Sequence, residues 1–307
     1  MLSDLTLTGA PIWVDLGTTD IDGAAAFYRA VFGWDFEKGG EDVGGYGTFQ
    51  LGGRTVAGGM ENPPDLAAPT WSLYFCTPDA NATAKQVGQA GGSTQFEPMD
   101  VLDLGRMAGF TDSGGVPFSV WQPGQNKGLD LVNAPGALIW TELYTPDIEA
   151  GAAFYGTVFG WKTVTQPFEG GSYTMVYPAD GTPDDMFGGL WPLDQDPVEQ
   201  EAGVYWMPYF QVADIDAVVE KARTSGGTVR AERMDLAGVG SFAKLADPHG
   251  ARFALMQPEP MQGRCRRGRR RADAAGSAAG SINAGSAGGA RVAGPVGAGP
   301  GAFGAPR

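Results

Sequence analysis

Two carboxylates carry most of the chemical potential of this 307-residue chain. Asp15 follows Trp13 by two residues, and Glu142 follows Trp140 by the same step, 127 positions later. A step of two keeps side chains on one face of an extended strand, so each acid shares a face with an indole. Tyr74 and Tyr209 stand at matching places further along and can point the same way. A carboxylate, an indole and a phenol in one concave pocket suit a planar or cationic small molecule. Such a carboxylate, with a raised pKa, could also serve as a base for proton abstraction. Other roles stay open. Trp and Tyr on strands often pack cores or domain interfaces, and the two acids could accept hydrogen bonds between the two halves of the chain. Arg54, Arg106 and Arg252 lack counterparts in the other half, which fits either an asymmetric site or plain surface charge.

Other chemistries have little to build on. The one histidine, His249, sits in the turn Asp247-Pro248-His249-Gly250, and Cys76 and Cys265 are the only cysteines. A disulfide framework and a cysteine-rich metal site are thereby excluded. No phosphate loop, serine-nucleophile motif or CxxC pair is present. Without a long apolar run or a basic-then-apolar leader, no membrane contact is expected and a cytoplasmic location follows. The net charge of −14 divides unevenly: residues 261–307 hold eight Arg and one Asp, a net of +7, leaving −21 on residues 1–260. An acidic body argues against nucleic acid as a partner and favours cationic or neutral ligands, although solubility alone would account for it.

The elements that position these residues come as a repeat. Trp13, Asp20, Phe27, Tyr28, Val31, Phe32, Gly33 and Trp34 recur 127 positions later as Trp140, Asp147, Phe154, Tyr155, Val158, Phe159, Gly160 and Trp161. Each set reads as a strand, an Asp-capped helix with an apolar stripe, and a glycine stop. Tyr46 matches Tyr173 at 127, Gly58-Gly59 match Gly188-Gly189 at 130, and Trp71 matches Trp206 at 135. Asp79, Asp112 and Phe118 keep the offset of 135 in Asp214, Asp247 and Phe253, so insertions of 3 and 5 residues in loops explain the drift. Residues 11–124 and 137–259 are therefore two copies of one module, packed together within the chain and joined by a linker over 125–136. Residues 263–307 form an Arg-rich and then Ala/Gly-rich tail, expected to be disordered. That tail reads either as an incidental extension or as a basic arm.

The pattern Pro-Asp-Ile…Ala-Ala-Phe-Tyr…Val-Phe-Gly-Trp, with the closing strand Ala-Arg-Phe-Ala-Leu-Met-Gln-Pro, resembles the vicinal oxygen chelate superfamily in both copies. That superfamily includes glyoxalase, bleomycin-resistance and dioxygenase proteins. The resemblance implies an α+β fold in which each module pairs two βαβββ units into a curved sheet around a cup. Members that use a metal place His or Gln in the first strand of a unit and Glu in its last. Those positions fall here on Trp13 and Trp140, on Ser72 and Met207, and on Ser119 and Ala254, none of them a donor for a divalent ion. The expected function is thus cofactor-free binding of a small aromatic or cationic molecule at Trp13, Asp15, Tyr74, Ser119, Trp140, Glu142 and Tyr209. The alternative is a glyoxalase-, hydroxylase- or dioxygenase-type enzyme, for which a divalent metal remains open. A purely structural use of the repeats is a third option.

Overall fold

Pro11 to Pro123 build the first of two eight-stranded sheets, and Leu138 to Pro258 build the second. The computed structural model describes residues 2, 4–40, 43–63, 68–168 and 171–259. The tail at 263–307 lies outside them. The first sheet contains β1 (Pro11–Thr18), β2 (Asp35–Lys38), β3 (Gly47–Leu51), β4 (Arg54–Glu61), β5 (Thr70–Cys76), β6 (Ser93–Val101), β7 (Gly105–Thr111) and β8 (Pro117–Pro123). Their order is β2-β3-β4-β1-β5-β8-β7-β6. Parallel pairs β1–β4 and β5–β8 close two βαβββ halves, and the antiparallel pair β1–β5 joins them.

The second sheet repeats this order with β9 (Leu138–Thr145), β10 (Lys162–Phe168), β11 (Gly171–Tyr177), β12 (Gly188–Pro192), β13 (Tyr205–Gln211), β14 (Thr228–Leu236), β15 (Gly240–Ala246) and β16 (Arg252–Pro258). Four helices of ten or twelve residues link the strands: α1 (Ile21–Phe32), α2 (Ala80–Gln89), α3 (Ile148–Phe159) and, after the single turn α4 (Pro197–Gln200), α5 (Ile215–Thr224). Asp20, Asp79, Asp147 and Asp214 cap the four longer helices, each carboxylate accepting a backbone N–H at 2.8–3.0 Å. A cap of this kind is worth about 1 kcal/mol. No helix among the described residues is long and apolar enough to cross a membrane.

The helix-bearing faces of the two sheets share one core. Phe32 of α1 packs on Phe210 and Phe253 of the second module at 5.3 and 5.9 Å between ring centroids. In return, Phe75 of β5 meets Phe159 and Trp206 at 5.7 and 5.3 Å. Hydrogen bonds cross the same boundary in matched pairs. Tyr28 accepts from Trp71 Nε1 at 3.0 Å and donates to Asp247 at 3.2 Å. Tyr155 accepts from Trp206 Nε1 at 2.9 Å and donates to Asp112 at 3.2 Å. Each of these aspartates also closes its own turn, Asp112 through Gly114 and Val116 and Asp247 through His249 and Ala251. His249 itself lies half-buried with its ring 3.9 Å from Asp20 of α1.

Two expectations change. The acids that accept hydrogen bonds between the modules are Asp112 and Asp247, whereas Asp15 and Glu142 lie on the opposite faces of their sheets and bond within their own module. The equivalence between the copies also extends to the residues just before β1 and β9. Gly9 and Gly136, 127 positions apart, sit at φ +82 each and accept the indole N–H of Trp161 and Trp34 respectively. A Cβ on Gly9 would lie 2.2 Å from Trp161 Nε1. Finally, register pairs Asp15 with Gly58 and Glu142 with Gly189, an offset of 131 for that strand. The two insertions are therefore 4 and 4 residues, the second of them in the connection from β12 to β13.

Candidate functional site

Alternation along β1 turns Ile12, Val14 and Leu16 into the shared core and leaves Trp13, Asp15 and Gly17 on the helix-free face, inside the curl of the sheet. Register adds Gly58 beside Asp15, Ser72 opposite Asp15, Tyr74 opposite Trp13, and Ser119 beside Tyr74. These side chains form one network. Tyr74 donates to Asp15 Oδ2 at 2.9 Å and Tyr46 donates to the same oxygen at 3.2 Å. Trp13 Nε1 donates to the Tyr46 hydroxyl at 2.7 Å. Gly58 makes room for this, since a Cβ there would sit 1.8 Å from the Tyr46 hydroxyl.

Asp15 is only 8% exposed. Its burial lifts the carboxyl from 3.8 to about 6, against the opposing pull of bonds from Tyr74, Tyr46 and Ser72. Burial, and then the nearby Asp15 charge, holds both phenols far above their usual range, so they stay protonated donors. Near neutrality the cup therefore offers a carboxylate that exchanges its proton readily, walled by one indole and two phenols.

The second cup repeats the plan with more side chains on its carboxylate. Tyr173 donates to Glu142 Oε1 at 2.7 Å, Tyr144 donates to Oε2 at 2.6 Å, and Tyr209 also donates to Oε2. Trp140 Nε1 donates to Tyr173 at 2.9 Å. Tyr144 replaces Gly17, Met207 replaces Ser72 and Ala254 replaces Ser119. Ser72 and Tyr74 are half-buried in the first cup, while Met207 and Tyr209 in the second are buried.

A further cluster fills this side of the second cup. Glu199 of α4 is wholly buried and binds Arg230 of β14 and Tyr205 of β13, while Lys244 of β15 holds Asp196. Burial works against the charge on Arg230, yet its bonds to Glu199 and Tyr205 raise its pKa above the ordinary arginine value. The first module has Gln95 and Gly109 in place of the two cations.

The structure brings Trp13, Asp15, Tyr74 and Ser119 together on the helix-free face of the first sheet, and Trp140, Glu142 and Tyr209 together on the matching face of the second. Sequence reasoning passed over Tyr46 and Tyr173, although their recurrence at 127, each with a small residue facing it, was a usable signal. It also missed Glu199, Arg230 and Lys244, which come together from a loop insertion and two distant strands. Arg106 is not part of the first cup and instead bonds Asp100 and the Pro98 carbonyl. Arg252 lies over the Tyr205 ring at the rim of the second. Among the described residues no three His, Cys, Asp or Glu side chains converge as metal ligands. Trp13, Ser72 and Ser119 do not fit a divalent ion at the positions the resemblance implies.

Residues 11–120 and 137–255 each match the model of the Glyoxalase/Bleomycin resistance protein/Dioxygenase superfamily. The chain belongs to this superfamily. Among similar proteins, the Mycobacterium tuberculosis protein named "Putative glyoxylase CFP32" is 36% identical over 83% of this chain and 97% of its own length. The Streptomyces peucetius anthracycline biosynthesis protein DnrV is 36% identical over 81% of this chain and 93% of its own. Of solved superfamily structures, the Mn(II)-bound glyoxalase of Novosphingobium aromaticivorans aligns with a TM-score of 0.54 at 17% identity, covering 81% of this chain and 82% of that one. That likeness is one of fold, because the superfamily scaffold hosts many chemistries.

Proposed function

We propose that the chain binds a small planar aromatic or cationic molecule in the cup of its first module, without a divalent metal. The observation that carries this reading is Asp15, a buried carboxylate set among Trp13, Tyr46 and Tyr74, with the small Ser72 and Ser119 close by and the Asn62 amide lying over Gly17. An indole face and a nearby carboxylate attract a flat cation together, by about 1–3 kcal/mol where water is excluded. A planar ring system of the sort handled in anthracycline biosynthesis, the process for which DnrV is named, is a ligand of suitable shape. Tryptophan fluorescence of metal-stripped protein, titrated with ethidium, acridine orange and an anthracycline, tests the reading. Saturable quenching is expected, weakened roughly five- to a hundred-fold by Asp15→Asn and little changed by Glu142→Gln. Absence of binding, or binding indifferent to Asp15→Asn, would refute it.

A second reading is favoured by the proton affinity of Asp15. A carboxyl that titrates at about 6 is suited to taking a proton from a substrate near neutral pH, so an isomerase of glyoxalase type is the competing function. Turnover of a hemithioacetal substrate that depends on added Mn(II) would select that reading.

A further inference from the structure

The second cup contains a cation cluster that cannot stand empty. Arg230 and Lys244 project from β14 and β15 with side chains only 14% and 7% exposed. Two buried positive charges without an anion are strongly unfavourable. The anions come from the twelve-residue connection between β12 and β13, where Asp196 caps α4 and holds Lys244 Nζ, and Glu199 points into the cup toward Arg230. Arg230 Nη1 reaches both carboxylate oxygens of Glu199 at 2.8 Å, and Arg230 Nη2 donates to the Val198 carbonyl at 2.9 Å. Tyr205 donates to Glu199 Oε2, and Lys244 lies 3.6 Å from Oε1.

Around this carboxylate the walls are flat and aromatic. Tyr144 and Tyr205 stack at 5.5 Å with 19° between their planes, and Lys244 Nζ lies 4.8 Å above the Tyr144 ring. Register places Trp191 on the same face as Tyr144. Its ring stacks on Phe168 at 5.8 Å, and its buried Nε1 has no hydrogen-bond acceptor. Arg230, Tyr205 and the nearby Lys244 therefore stand on the sheet, whereas the Glu199 carboxylate that they face stands on the connection from β12 to β13.

We propose that the second cup is a recognition site for a flat aryl carboxylate, held closed in cis by Glu199. The loop supplies the carboxylate, so the attachment of Glu199 to the same chain gives it a high effective concentration over free acids. Removing that side chain leaves Arg230 without its carboxylate and opens it, beside Tyr205, to an outside acid, while Lys244 stays held by Asp196.

The test uses the full chain with Glu199→Ala, and with Glu199→Gln in parallel, which keeps the side-chain volume without the charge. Melting temperature and calorimetric heat are followed with benzoate, acetate and benzamide at matched ionic strength. Benzoate is expected to raise the melting temperature of both variants saturably, by several degrees, acetate to do so less, and benzamide not at all. The parent chain should respond no more to benzoate than to chloride. Arg230→Met added to either variant should remove the benzoate response. A Glu199→Ala chain that folds only in benzoate would give the same answer more sharply. The proposal is overturned if benzoate raises parent and variants equally, if both variants fold and neither binds it, or if neither folds in its presence. None of these outcomes bears on the first cup, whose ligand test stands apart.

Discussion

Replacing Asp15 with Asn should make the protein more stable above neutral pH, in a way that can be computed in advance. Burial outweighs the bonds from Tyr74, Tyr46 and Ser72 and lifts the carboxyl from 3.8 to about 6 in the folded chain. The folded state thus holds the proton more tightly than the unfolded state. The stability gained this way is fully present below pH 3.8 and is lost as the pH rises through about 6. At about 1.36 kcal/mol per pH unit, the loss reaches about 3 kcal/mol above pH 7. Asparagine cannot ionise and avoids that loss. Its amide faces hydroxyls that donated to a carboxylate, one of which must turn and accept, at a roughly pH-independent cost of about 1 kcal/mol. The measurement is urea unfolding of parent and variant from about pH 4 to about pH 8, where the variant should gain about 2–3 kcal/mol on the parent. Other carboxyls titrate in both proteins and cancel in the difference. A difference flat with pH, or one that moves toward the parent as pH rises, would mean that the carboxylate is favoured in its cup and would refute the reasoning.

Two further perturbations follow from the packing. Gly58→Ala places a Cβ 1.8 Å from the Tyr46 hydroxyl and should cost about 1–3 kcal/mol while driving Tyr46 off Asp15; an unchanged melting temperature by calorimetry would show the strand yields instead. Tyr28→Phe and Tyr155→Phe each leave a buried indole N–H of the same module and an aspartate oxygen of the other module without a partner. Each should lower stability by about 1–3 kcal/mol in urea unfolding, and a pair of values differing several-fold would deny the equivalence of the two contacts.

Much of the fold could be read because it is written twice. The helix caps Asp20 and Asp147, the glycine stops Gly33 and Gly160, and the alternating strands are local signals, and each was confirmed by its copy. Offsets through loops were less secure: two adjacent glycines at 58–59 and 188–189 align equally well one residue apart. Only the bulk of Tyr46 and Tyr173, lying over Gly58 and Gly189, fixes the register. The cup residues on first strands were legible from a step of two. Their partners Tyr46 and Tyr173 required knowledge of which way a curled sheet brings β3 and β11 over β1 and β9. Glu199, Arg230 and Lys244 were beyond reach because their meaning lies in a contact among a loop and two strands more than 30 positions away in sequence. The same limit hides the role of Asp112 and Asp247 between the modules. Their second oxygen serves a tyrosine 43 or 219 positions distant.

The exchange of contacts in which Tyr28 leans on Asp247 and Tyr155 on Asp112 also determines how this protein could have changed since its gene doubled. Neither half can drift in the face it lends to the other without damage to both, so the folding unit is the pair rather than the repeat. The opposite faces carry no such debt. Gly17 could become or cease to be Tyr144, and a loop could grow by four residues, without disturbing the buried seam. A doubled scaffold bound back to back is thereby free to let its two mouths specialise independently. An engineer who wishes to retune one of them should graft strand-face residues within the whole chain, since cutting out a single module would leave its aromatic seam facing water.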